Sequence, residues 1–148
     1  MTTAFEVAKY IIKCLPVDNL KLQKLLYYSQ AVHLVLHERQ PLFNEAIEAW
    51  DYGPVVPPVY REYKPYGFDV ITPAEEQSLL DFEEMRAVDM MLSCFGVLSG
   101  PELINQTHGE DPWKNAYKPG RPSSVINLDT MYDFFKSNLE FTEDEIKA

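Results

Sequence analysis

Apolar residues at Ala4, Phe5, Ala8, Ile11, Ile12 and Leu15 recur at the three-to-four spacing of one helix face, so the chain opens with an amphipathic helix. Pro16 ends it, because proline lacks an amide proton and its ring clashes with the preceding turn. Residues 20–36 read differently. Leu22, Leu25, Leu26, Tyr27, Tyr28, Ala31, Val32, Leu34, Val35 and Leu36 surround most of the circumference, leaving Gln23, Gln30, His33 and His37 as one narrow polar stripe. A helix that is apolar on nearly every side belongs in the middle of a domain.

Pro41 and Asn44 mark turns, and residues 47–50 read as extended. Pro57 and Pro58 suit the first turn of a short helix running through Val59, Tyr60 and Tyr63, where a missing amide proton costs nothing. Pro65 and Gly67 close it. TPAE (72–75) has the form of a capping box and predicts a helix with Leu79, Leu80, Phe82, Met85, Val88, Met91, Leu92 and Phe95 as its apolar face, stopped by Gly96. SGPE (99–102) is a second box, opening a short helix through Leu103, Ile104 and Thr107. Asp111 and Pro112 read as an N-cap and first-turn pair around Trp113 and Tyr117. KPGRPSS (118–124) reads as a loop. Leu128, Met131, Phe134 and Phe135 make a further helix with Asn127 or Asp129 near its start, and TEDE (142–145) begins a last acidic turn.

The expected fold is therefore all-α: a single compact domain over 1–148, with six or seven helices around a buried central one. At most a very short strand is expected, and residues 139–148 form an acidic tail. A chain of 148 residues with 46% hydrophobic content is long enough to bury its own core.

Charge changes the picture more than composition does. The formal net charge is −10, yet residues 1–67 carry seven basic and seven acidic residues. Residues 68–148 hold six basic and sixteen acidic ones and supply the whole imbalance. Such a chain repels phosphate backbones, so no nucleic-acid partner is expected. The acidic half suits either a basic protein partner or plain solvation of helix faces. No run of about 20 apolar residues predicts a membrane span, and the N-terminus has no signal-peptide pattern. Cys14 and Cys94, each in apolar surroundings, read as reduced, buried thiols of a cytoplasmic protein.

Catalytic chemistry finds little support. His33 and His37 share a helix face at a spacing known from zinc sites, but HLVLH lacks the glutamate that a metalloprotease places after its first histidine. Two surface histidines on a polar stripe are the simpler reading. With His108 they keep a small metal-dependent hydrolase in view as an alternative. Cys94 with His108 reads as core rather than as a dyad. No cofactor, metal or catalytic residue is assigned.

Two segments remain. THGEDPW (107–113) reads as a self-contained corner in which Thr107 and His108 bond unpaired carbonyls and Trp113 folds back on the preceding helix. Its alternative is a pocket lined by His108 and Trp113 with Tyr52 or Tyr60. EAWDYGPVVPPVYREYKPYG (48–67) packs four tyrosines, one tryptophan, four prolines and two glycines into twenty residues. Trp50, Tyr52 and Tyr60 join large apolar bodies to polar tips, as interface anchors and core cornerstones both do.

Taken in order, LQKLLYYSQ (22–30), PLF (41–43), EAWDYGPVVPPVY (48–60) and ELINQTHGEDPW (102–113) resemble the Panacea domain of SocA-like antitoxins, over about residues 4–137. The resemblance implies a mostly helical bacterial, plasmid or phage-associated protein that neutralises a cognate toxin by direct protein contact. It also implies an alternative, an adaptor that delivers the toxin to a cellular protease. The matching positions are Leu25, Tyr27, Tyr28, Trp50, Tyr52, Gly53, Pro54, Val55, Tyr60, Thr107, His108, Pro112 and Trp113. With the chain nearly filled by this domain and strongly acidic, autoregulation by DNA binding is not expected. Residues 50–54 are expected to form a rigid corner against the central helix. Residues 55–66, where Arg61 and Tyr63 interleave with other charged and aromatic side chains, are the expected partner surface.

Overall fold

The computed structural model describes residues 1–121 and 124–139. Seven α-helices appear among them: α1 (Ala4–Cys14), α2 (Asn19–Leu36), α3 (Pro57–Tyr63), α4 (Phe82–Phe95), α5 (Gly100–His108), α6 (Asp111–Ala116) and α7 (Leu128–Asn138). The expected helical fold is thus largely right, with one correction. Three short strands, β1 (Glu48–Trp50), β2 (Gly53–Val55) and β3 (Ser124–Val125), form an antiparallel sheet in the order β2-β1-β3. Glu48 pairs with both Val55 and Val125. β3 starts on the last residue of the segment read as loop, and two residues facing β1 give too little periodicity to be seen in sequence.

Helix α2 is the axis. Asp18 caps it by accepting from Lys21 N, and α1, α4, α5, α7 and β2 all pack against it. Leu22, Leu25, Leu26, Tyr27, Tyr28, Ala31 and Val32 have no exposed surface. Gln23, Gln30 and His33 of the polar stripe are buried as well, and His37 is half-buried. Gln23 Oε1 accepts from Val56 N and Gln30 Oε1 accepts from Leu42 N, while Gln30 Nε2 donates to Phe43 O. These amides pair loop backbone that would otherwise be left without partners inside the protein. His33, expected at the surface, is 9% exposed, and its Nδ1 sits 2.7 Å from Gln40 O.

The TPAE box does not open a helix. Residues 72–80 instead lie along α1, where Glu6 accepts from Leu79 N and Lys13 Nζ donates to Glu76 O. Ile71 anchors the start of this segment, donating its N–H to Val17 O. α4 begins at a competing box, Asp81 with Glu84, in which both reciprocal bonds form. Its buried face is Glu84, Ala87, Val88, Met91 and Phe95, while Leu79 and Phe82 face solvent. The Ser99 box and the Asn127 cap form as expected. At α6 the N-cap residue is Glu110, not Asp111, and its side chain makes no cap bond. Both cysteines are exposed rather than buried. Each stands in the last turn of its helix, at the margin of the apolar face. TEDE (142–145) lies outside the described residues.

Candidate functional site

The turn between β1 and β2 is the junction of the molecule. Trp50 pairs with Gly53 across it, leaving Asp51 and Tyr52 at the tip. Gly53 has φ +106°, and a Cβ there would lie 2.8 Å from Lys24 Cε and 2.9 Å from Thr107 Oγ1. Only glycine meets both demands, the positive φ and the close approach. Lys24 is 0% exposed, and its Nζ donates to Pro54 O at 3.0 Å. Burial lowers its ammonium pKa to about 7, against the attraction of Asp18.

Corner 107–113 closes on the same turn. Thr107 Oγ1 donates to Ile104 O within its own helix. His108 does not bond its own helix end: its Nε2 lies 3.1 Å from Asp51 O. Trp113 Nε1 donates to Trp50 O at 2.9 Å, and Tyr117 OH donates to Asp51 Oδ1 at 2.5 Å. The three rings stack, His108 on Trp113 at 4.2 Å and Trp113 on Tyr117 at 4.4 Å. This is a structural clasp around the hairpin backbone.

Behind the clasp lies a second buried charge. Glu110 is 6% exposed, and its two carboxylate oxygens accept from Tyr27 OH at 3.1 Å and Tyr28 OH at 3.0 Å. Burial raises its pKa to about 7, although both hydroxyls favour the ionised form. Glu110 fails to cap α6 because its carboxylate is turned into the core. Tyr28 also stacks on Phe95 at 3.9 Å and both tyrosines meet Phe135 edge to face, so the tyrosine pair links α2, α4 and α7 to this carboxylate.

The open side of the turn bears a cavity of about 670 Å³. Trp50, Tyr52, Tyr60, Phe68, Leu20 and Ile104 line it, with Lys24, Asp51 and Lys64 among the charged lining residues. Trp50 and Tyr60 meet edge to face at 5.1 Å. Tyr52 is 70% and Phe68 88% exposed, large apolar surfaces at the rim.

Sequence-expected residues therefore divide into groups. Trp50, Tyr52 and Tyr60 share the cavity; Gly53, Pro54 and Thr107 are buried beneath the turn; His108 and Trp113 clasp it from behind without lining the cavity. Tyr27 and Tyr28 are core. Arg61 is exposed on α3 and Tyr63 is half-buried beside Tyr66, both outside the cavity lining. Lys24, Glu110, Asp51, Tyr117 and Phe68 were not singled out. Lys24 was legible as the second lysine of α2, three residues after Lys21 and at the start of the apolar run; nothing in the sequence marks Phe68. Of the histidines, the rings of His33 and His37 lie 4.4 Å apart at a tilt of 38°, with Glu83 3.6 Å from His37 Nε2. No group of three metal-ligating side chains occurs among the described residues.

An axial helix, a glycine turn seated on its buried lysine and a stacked clasp define one assembled unit spanning the matched region. The model of the family described as antitoxin SocA-like, Panacea domain, matches residues 22–114, more than half of the chain. The chain belongs to this family. It is 32% identical to Antitoxin SocA of Caulobacter vibrioides (strain NA1000 / CB15N) over 112 residues, covering 67% of this chain and 59% of that protein. The chain thus spans less than two thirds of this relative's length. No solved structure matches it. No single described helix is long and apolar enough to cross a membrane.

Proposed function

We propose that this protein is a cytoplasmic antitoxin that neutralises a cognate toxin by binding it, without catalysis. Family membership supports the class, and the resemblance to Antitoxin SocA points to a toxin as partner. The observation that carries the contact surface is the exposed aromatic rim, Tyr52 and Phe68, beside a cavity walled by Trp50 and Tyr60. Large aromatic residues around a pocket are what interface hot spots are built from. Arg61 and Glu62 are exposed on the adjoining α3 and supply a polar margin. Two of the three histidines that a hydrolase reading needs are engaged by backbone carbonyls: His33 with Gln40 O and His108 with Asp51 O.

Co-expression with the product of the adjacent reading frame tests this. Relief of growth arrest and co-purification of the two chains are expected. A non-toxic neighbour, or rescue without a complex, overturns the reading. An unchanged toxin half-life distinguishes sequestration from delivery to a protease.

A further inference from the structure

Most polar side chains that line the cavity beside the hairpin turn are spent inside the protein. Asn19 Nδ2 donates to Tyr60 O, Gln23 bonds Asn19 and Val56 N, and Trp50 Nε1 donates to Glu48 Oε1. Lys24 is buried under the turn on Pro54 O, and the Asp51 carboxylate accepts from Tyr117 OH of the clasp. Lys64 and the Tyr52 hydroxyl differ. Both residues are exposed and line the cavity, and neither group has a hydrogen bond or ion pair among the described residues. Arg61, exposed on α3 three residues before Lys64, is likewise unpaired among them. Elsewhere Lys9, Arg39 and Arg86 each pair with a carboxylate.

An ammonium carries three N–H donors and a guanidinium five, and neither has an acceptor. Their complement is an anionic acceptor, and a carboxylate serves both. Below them the wall is apolar, with Leu20, Val55, Ile104 and the rings of Trp50 and Tyr60, and suits an apolar side chain. A small molecule held inside about 670 Å³ leaves the rim rings of Tyr52 and Phe68 in water, so an occupant that covers them is a macromolecule. Residues 1–67 supply all of the lining except Phe68 and Ile104 and are balanced in charge, whereas residues 68–148 supply the net −10. An acidic segment meets less repulsion from the first set than from the second. Glu62 and Asp69, exposed on the same stretch, lie outside the lining.

Resting on the antitoxin reading, we propose that this cavity takes an acidic segment of the toxin. One large apolar side chain of that segment enters the cavity, and a neighbouring carboxylate pairs with Lys64. Arg61 is a second cation for the same segment.

The test uses the full chain and the product of the adjacent reading frame. A zero-length carbodiimide should join Lys64 in the native complex to an aspartate or glutamate of the partner, read by mass spectrometry. Lys64→Glu should weaken the complex at least about tenfold, and Arg61→Glu should act in the same direction. Glu62→Lys and Asp69→Lys add positive charge at the same edge and should leave the complex as tight or tighter. All four side chains are exposed, so melting temperatures should stay close to native. By NMR on labelled antitoxin, the Trp50 indole N–H should shift on binding more than that of Trp113, which lies outside the lining. If the native protein forms no complex, the antitoxin reading fails and this proposal with it. A complex that Lys64→Glu leaves intact, that Glu62→Lys or Asp69→Lys weakens, or that forms without moving the Trp50 signal overturns this proposal alone. Self-association of the free protein that Lys64→Glu abolishes would assign the cavity to a second copy and also overturn it.

Discussion

Gly53 sits directly on Lys24: a Cβ at position 53 would come within 2.8 Å of the lysine Cε, at a backbone φ of +106°. Gly53→Ala therefore meets strain and a clash together. It should lower stability by about 2–4 kcal/mol, from a strained φ plus overpacking. Urea unfolding measures this, and a loss below about 0.5 kcal/mol would show that the turn is not locked against α2.

Lys24 and Glu110 give opposite pH dependences. Glu110 is raised from 4.5 to about 7 in the folded state, so it binds more protons folded than unfolded between those values. Its contribution is full below pH 4.5 and falls as pH rises to 7. Lys24 is lowered from 10.5 to about 7, so the unfolded state binds more protons above 7, and stability rises from there towards 10.5. Together they contribute a minimum near neutrality, with limbs of up to about 1.4 kcal/mol per pH unit. Glu110→Gln should flatten the acidic limb alone and Lys24→Met the alkaline limb alone. Unfolding free energies from pH 5 to 9.5 would refute this if either variant left its own limb intact.

The clasp residues should act on stability. Trp113→Phe keeps the stack with His108 and Tyr117 but loses the bond to Trp50 O, at a cost of about 1 kcal/mol. His108→Ala should cost a similar amount through the lost bond to Asp51 O and the lost ring contact. Thermal denaturation checks both. A His108→Ala protein of native stability that no longer neutralises toxin would move His108 from clasp to contact surface.

Rim residues should act the other way. Tyr52→Ala and Phe68→Ala remove exposed rings, so melting temperature should move by little. If the rim is the toxin surface, each should weaken toxin binding at least about tenfold, as truncated hot-spot aromatics do. Pull-down and growth rescue with these variants read the effect, and full neutralisation by the double variant would exclude this face.

The helices were legible where local chemistry and burial agree. Pro16, the Ser99 box and Asn127 set boundaries that the folded chain keeps, because each acts on its own helix end without distant help, the proline by stopping the helix and the other two by capping it. TPAE failed for the converse reason. Asp81 and Glu84 offered a second box whose helix buries Ala87, Val88, Met91 and Phe95, and a cap cannot outweigh that burial. The sheet was invisible because two of its strands meet only through long-range pairing between residues 48–49 and 124–125.

By itself the sequence determined that a helix apolar all round would be buried, that a corner would fall within residues 50–54, and that the ordered motifs marked a Panacea-type chain. Those conclusions rest on periodicity, backbone sterics and residue order, all carried locally. Only the tertiary structure decided that Lys24 lies under the turn, that Glu110 faces Tyr27 and Tyr28, and that Phe68 stands at the rim with Tyr52. Each joins segments distant in sequence, and a polar group's burial is set by what packs over it.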